Sequence, residues 1–193
     1  MDDKPPGIRR LCVAYEIDAS GGRGGGAGQA AAERRGYMAF VEVCASLGLD
    51  RILLDRRNAG QLGVFPVGID EPQVVPSLVE GLSRVLAGLN VRFRLAFHEG
   101  VMTLLAAGGY GGKAIATVGR LAESKPLRAV LAEYPGASLA VLLSASVFED
   151  IGPQLPVEQF RRVEIGGPAR GLRDVAWIYV PGHPLSASVS MGT

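Results

Sequence analysis

VRFRLAFHEG, residues 91–100, alternates as a strand must, with Val91, Phe93, Leu95 and Phe97 on one side and Arg92 and Arg94 on the other. A second stretch of the same kind, RRLCVAYEI at 9–17, sets Leu11, Val13, Tyr15 and Ile17 against Cys12, Ala14 and Glu16. It reads as a strand with one apolar face and one face that turns acidic at its end. Between and beyond these two stretches the apolar period changes repeatedly from two to about 3.6, so strands and helices are interleaved along the chain.

Working outward, Tyr37, Phe40, Val41, Cys44 and Leu47 share a helical stripe within 30–47. RILLD at 51–55 and QLGVFPV at 61–67 bracket a tight turn using Asn58 and Gly60. Pro72 and Pro76 punctuate a connector into a helix over 77–89, where Ser77 and Glu80 fit a capping box and Leu78, Leu82, Val85, Leu86 and Leu89 supply the buried stripe. A helix follows from Lys113 or Ala114 to Glu123. Ser124 and Pro126 start another through Leu127, Val130, Leu131 and Tyr134, which Pro135 and Gly136 end. LAVLLS at 139–144 reads as a buried central strand, a short helix covers 145–149, and two strands fall near 160–165 and 175–180. The pattern predicts an α+β fold with helices packed on a mixed, partly antiparallel sheet. One domain spans residues 10–183, between a flexible lead at 1–9 and a tail at 184–193.

The 193 residues suit one well-cored domain and are few for two. At 48% hydrophobic and 20% charged, with a formal charge of +1, the composition is that of a soluble globule and gives no electrostatic reason to expect nucleic acid. The apolar runs are too short to span a bilayer, and no leader precedes the first strand, so no membrane is expected and the expected address is cytoplasmic. Cys12 and Cys44 lie inside apolar segments without paired spacing and read as buried free thiols.

Few motifs carry chemistry. SGGRGGGAGQ at 20–29 stands between a strand and a helix, where main-chain amides can cradle phosphate, but it completes neither the dinucleotide fingerprint nor a Walker loop, and reads first as a loop. GGYGGK at 108–113 is a second glycine segment, and its Lys113 is a candidate anion contact. His98 reads as a packed core histidine ending its strand, and His183 as part of a surface turn. Two histidines leave no dense metal cluster, and no serine sits in a nucleophile elbow.

Five pieces in order, namely an acid-ended first strand, a hairpin, a strand closing in RLAFHEG, a glycine segment running into GKAIATVGRLAES, and a final arginine–glycine connection before AWIYVPGH, resemble the class III nucleotidyl cyclase homology domain. The likeness is to the small single-domain actinobacterial type and covers Arg10 to about His183. It implies a ferredoxin-like βαββαβ core with extensions, working as a dimer with nucleotide sites between subunits. It places metal binding at Glu16, Ile17 and Asp18, with Glu16 where relatives carry an aspartate. Asn58 and Ala59 fall on the family's glycine–aspartate turn, and alanine supplies no ligand. Gly109 stands at the purine-reading acid, Ala116 at the transition-state asparagine and Arg120 at the arginine one helical turn later. Arg170, followed by Gly171 and Leu172, takes the place of the phosphate-binding lysine and its glycine.

Cyclisation needs a metal-activated 3′-hydroxyl and charge stabilisation at the transferring phosphoryl group. With Ala59, Gly109 and Ala116 at matched positions, the expectation is a catalytically degenerate cyclase-like domain, a regulatory or interaction module with no cofactor or weakly bound Mg²⁺ or Mn²⁺. Arg120, Arg170 and Lys113 remain as phosphate contacts, Arg120 also being the retained catalytic position. The expected partners are a second copy of the chain, a nucleotide or other phosphorylated small molecule, and a protein. A weakly active cyclase or related phosphoryl-transfer enzyme is the alternative.

Overall fold

Alternation in Gly7–Ile17 produces strand β1, and what each of its faces can bury arranges the rest of the chain. The computed structural model describes residues 7–18, 26–49, 52–57, 60–105, 109–155, 159–166 and 174–185. After β1 come helix α1 (Gly26–Ser46), strands β2 (Leu53–Arg57) and β3 (Gly60–Val64), helix α2 (Glu71–Leu89) and strand β4 (Phe93–Leu104). The two-residue strand β5 (Tyr110–Gly111), helices α3 (Lys113–Ala122) and α4 (Lys125–Glu133), strand β6 (Leu139–Ser144), helix α5 (Ala145–Ile151) followed by a 3-10 turn at Gly152–Gln154, and strands β7 (Arg161–Ile165) and β8 (Asp174–Tyr179) complete the described elements.

The sheet runs β2-β3-β1-β4-β6-β8-β7, with β5 pairing on β4. Its first half, β1-α1-β2-β3-α2-β4, is a ferredoxin-like βαββαβ unit: β1 lies between β3 and β4 and is antiparallel to both. The extension adds β6 parallel to β4 across the α3–α4 crossover, then β8 and β7 antiparallel. This is the expected α+β architecture.

Each face of the sheet has its own core. Leu11, Val13, Tyr15 and Ile17 join Phe93, Leu95 and Phe97 beneath α1, α2 and α5. There the Tyr15 ring stacks on Phe93 with centroids 4.5 Å apart. On the reverse face Cys12, Ala14 and Ala96 lie beneath α3 and α4. Ala14 and Ala96 are direct cross-strand neighbours, and such small side chains let α3 approach closely. The second faces of β1 and β4, read from sequence as polar or acidic, are therefore covered. Phe93 and Phe97 are both fully buried, so neither offers a stacking surface for a base.

Several boundaries differ from the sequence reading. Helix α1 begins at Gly26, inside the glycine run; the Nε2 of Gln29 donates to Oε1 of Glu33 one turn on. Helix α2 starts at Glu71, six residues before the expected Ser77. Asp70 is its N-cap, accepting from the Gln73 amide at 3.2 Å, and Pro72 sits in the first turn where no N–H is needed. Pro76 is interior, at a cost of about 3 kcal/mol. Burying Val75, Leu78, Val79, Leu82 and Leu86 at about 1.5–3 kcal/mol each outweighs it. Ser77 is mid-helix, its hydroxyl donating to the Gln73 carbonyl at 2.8 Å. Strand β4 continues past His98 to Leu104, where Thr103 and Leu104 pair with Gly111 and Tyr110, so part of the second glycine segment is strand.

Candidate functional site

The end of β1 places Glu16 on the α3–α4 side of the sheet, since Tyr15 and Ile17 occupy the other core. In the ladder Glu16 lies opposite Gly60 of β3 on one side and Arg94 of β4 on the other. Gly60 has to be glycine: a Cβ there would lie 1.9 Å from the Tyr15 carbonyl oxygen and 3.1 Å from Oε1 of Glu16. Directly opposed residues on one face have Cβ atoms about 4.5–5.5 Å apart, so Arg94 extends beside Glu16 into the same space.

Both side chains are buried, with relative exposures of 9% for Glu16 and 8% for Arg94. Neither Nε nor Nη1 of Arg94 has a hydrogen-bond partner. Burial pushes the Glu16 carboxyl up from its ordinary value; the Arg94 charge opposes that shift, Glu123 adds to it and Arg128 opposes it. Burial, then Arg128, push Arg94 down, against Glu16, Asp18 and Glu123. The corner between α3 and α4, carrying Glu123 and Arg128, thus sits within electrostatic reach of the pair. At this corner Ser124 has a buried hydroxyl that also lacks a partner.

Asp18, just beyond β1, is engaged by Arg92, whose Nη1 lies 3.3 Å from its Oδ2. The Asp18 amide donates to the Arg92 carbonyl. The same guanidinium donates to the carbonyls of Ala137 at 3.0 Å, Tyr134 at 3.3 Å and Leu131, closing the C-terminal end of α4. Ile17 turns its side chain into the first core, so only its main-chain carbonyl is suited to an ion.

Helix α3 presents a different group. Gly112 precedes it at φ 107°, in the left-handed region that favours glycine. Lys113, Ala116 and Arg120 are all exposed. Arg120 donates through Nη2 to Oδ2 of Asp174 at 2.8 Å. Asp174 opens β8 directly after the connector that contains Arg170. Gly109, exposed at φ 80°, brings no side chain. Asn58, Ala59 and Arg170 lie outside the described residues.

Within one chain these positions divide into two groups. Glu16 is buried and Asp18 half-buried on the α3–α4 side of the sheet, whereas Lys113 and Arg120 are exposed on α3. Among the described residues no cluster of three or more His, Cys, Asp or Glu is placed to hold a metal. Glu16 is the one side-chain ligand at the matched first metal position, Asp18 is drawn to Arg92, and a fixed cation stands beside Glu16. A two-metal centre needs carboxylates that draw two divalent ions to within about 4 Å of each other. Among the described residues no such arrangement is present.

Arg94 is the participant that sequence reading missed. Its signal was an arginine alternating with Phe93 and Leu95 in a strand, but whether that second face met water or a helix depended on the α3–α4 crossover. The other polar candidates are quieter. Burial pushes the Cys12 and Cys44 thiols up to about 12, which leaves both unreactive. His98 has a buried Nδ1 without a partner, and burial pushes its pKa down. A cavity of about 500 Å³ lies on the opposite face of the sheet, between α2 and strands β6 and β8, with Val79, Val141 and Tyr179 in its lining.

No protein-family model matches the chain, and no curated protein matches it by sequence. Solved structures do match it. An adenylate/guanylate cyclase/hydrolase from Silicibacter pomeroyi superposes with TM-score 0.62 at 17% identity, over 91% of this chain and 99% of that one. The adenylyl cyclase CyaB from P. aeruginosa gives 0.60 at 12% identity, over 94% and 100%. A non-canonical dimeric guanylyl cyclase domain of the RhoGC fusion protein from Blastocladiella emersonii gives 0.58 at 12%, over 90% and 97%. The chain has the fold of nucleotidyl cyclase domains across nearly its whole length.

Proposed function

We propose that this chain is a cyclase-like domain that binds a nucleotide or another phosphorylated ligand without cyclising it, and that it acts as a regulatory or interaction module. The observation that carries this reading is the buried Arg94 guanidinium beside Glu16. Cyclisation depends on metal ions drawn to carboxylates at that point, and here an arginine stands opposite the carboxylate in the ladder. Ala59, Ala116 and Gly109 at the matched positions of the second metal ligand, the transition-state asparagine and the base reader point the same way.

A second copy of the chain belongs to this reading. Arg120 and Lys113 are exposed on α3, away from the buried Glu16 of their own chain, so a partner subunit could bring such cations toward it. An isologous contact through the exposed face of α3 would pair each Glu16 with the partner's helix. Incubation with ATP or GTP in Mg²⁺ or Mn²⁺, followed by separation of cyclic product and pyrophosphate, tests the catalytic half of the proposal. No metal-dependent cyclic product is expected. Product that Glu16→Ala abolishes would establish a weakly active cyclase instead. Sedimentation across micromolar concentrations tests the other half, and a species that stays monomeric throughout would remove the dimer.

A further inference from the structure

The cavity of about 500 Å³ between α2 and strands β6 and β8 falls within the size range of small-molecule sites. Its floor is aliphatic: Val75 and Val79 come from α2, Val141 and Leu143 from β6, and all four are buried. Each wall is held by contacts outside the cavity. Val141 and Leu143 pair with Leu95 and Phe97 of β4 on one side and with Tyr179 and Trp177 of β8 on the other. Tyr179 stacks on Phe160, Phe160 meets Phe148 edge-on, and Phe148 stacks on Trp177. Pro181 and Gly182, at the lip, form a tight turn closed by the His183 amide donating to the Val180 carbonyl at 3.0 Å. Gly182 has the φ of 76° that the third residue of such a turn requires. Walls secured in this way keep a gap open, whereas protein interiors otherwise pack to the density of organic crystals.

We propose that this cavity binds an uncharged aliphatic molecule with a single hydrogen-bonding head, of the class of a medium-chain alcohol, separately from the Glu16 site on the other face of the sheet. The floor offers hydrocarbon and no partner for a charge, and each methylene that leaves water for such a surface adds to affinity. The charged residues of the lining, Glu80 and Arg84, already hold each other at 2.7 Å and are mostly exposed. The rim therefore has no net charge with which to draw an ion, and a phosphate or a metal would have to break that pair and settle among aliphatic side chains. What remains for a head group are two neutral hydroxyls, those of Ser83 and Tyr179. Burial, then the Glu80 charge, push the Tyr179 phenol up, so it stays protonated and can both donate and accept. A molecule seated there braces α2 against β6 and β8, and it raises the stability of the fold in step with its occupancy.

The test is calorimetric titration of the whole chain with octan-1-ol, octanoate and octylamine, three probes that share one tail and differ in the charge of the head. The native protein is compared with Val79→Phe and Leu155→Trp, which fill the cavity from two of its walls, and with Tyr179→Phe. Melting curves first establish which variants fold, and either filled variant serves if the other does not. Expected are saturable binding of octanol and an affinity about tenfold or more above that for either charged probe. A loss of about tenfold or more is expected in the filled variants, and of about threefold or more in Tyr179→Phe. Equal or tighter binding of octanoate or octylamine would overturn the assignment of an uncharged ligand. Octanol binding unchanged in Tyr179→Phe would overturn the placement of its head group. Octanol binding unchanged in a folded filled variant would overturn the site itself, as would the absence of saturable binding by the native protein up to the solubility limit of octanol. Cyclic product is measured in a different assay, so this inference and the functional reading fail independently.

Discussion

Replacing Glu16 by glutamine and Arg94 by methionine together should make the protein more stable, because the pair is retained at a cost. The two residues are opposed in the β1–β4 ladder and nearly fully buried, and the arginine makes no hydrogen bond through two of its nitrogens. Buried ion pairs exchanged for well-packed neutral side chains commonly give a gain of about 1–4 kcal/mol. In a chain of this length each kcal/mol moves the melting temperature by about 2–4 °C, so a rise of several degrees is expected without ligand. Arg94→Met alone should behave differently. It strips Glu16 of the cation that most opposes its upward shift, so the folded-state pKa of Glu16 rises further above its unfolded value. A raised carboxyl pKa contributes stability that is fully present below the unfolded pKa and is lost as pH rises through the folded one. The single variant should therefore lose stability relative to the native protein at pH 8 and recover it near pH 4. Differential scanning calorimetry across that range reads both effects. A double variant that melts more than about 2 °C below the native protein at pH 7 would refute the reasoning, since the pair would then be a structural asset.

Gly60→Ala should be strongly destabilising, because the added Cβ meets the Tyr15 main chain at 1.9 Å and that strand has no room to move between β3 and β4; a melting curve unchanged from the native one would count against the strand register at Glu16. Arg120→Ala should shift the melting temperature of the monomer by no more than about 4 °C, since its ion pair with Asp174 is about half exposed on both sides and such pairs contribute at most about 1 kcal/mol. If α3 meets a second subunit, the same variant should raise the dimer dissociation constant, which sedimentation measures. Cys12 and Cys44, with thiols pushed up to about 12 and almost no exposure, should react with a thiol reagent at pH 8 only at the rate of unfolding; rapid labelling of either would show that its core opens locally.

Strands were legible where both the period and the composition pointed one way. Val91, Phe93, Leu95 and Phe97 had only one face to share, so β4 emerges from the sequence with its orientation, and LAVLLS is apolar throughout, so β6 emerges as a buried central strand. The start of α2 was not legible because Pro72 and Pro76 are ordinarily read as breaks. The burial of Val75 and Val79 that overrides them is a tertiary effect. The glycine run before α1 misled in the same way, its local entropy cost being offset by packing further along the helix. At the site, the carboxylate at the end of β1 could be picked out from its place after an apolar strand. What surrounds it could not. The neighbour of Glu16 is set by the β1–β4 register, which joins residues 78 positions apart in the chain, and the covering of Arg94 is set by a crossover helix pair that follows only after β4. Local pattern carries neither piece of information.

Anomalous diffraction from crystals grown with Mn²⁺ and a non-hydrolysable ATP analogue would bear most directly on how this site works. No manganese peak at Glu16 is expected. A manganese ion coordinated by the Glu16 carboxylate and the Ile17 carbonyl would contradict the reading of a site without a two-metal centre.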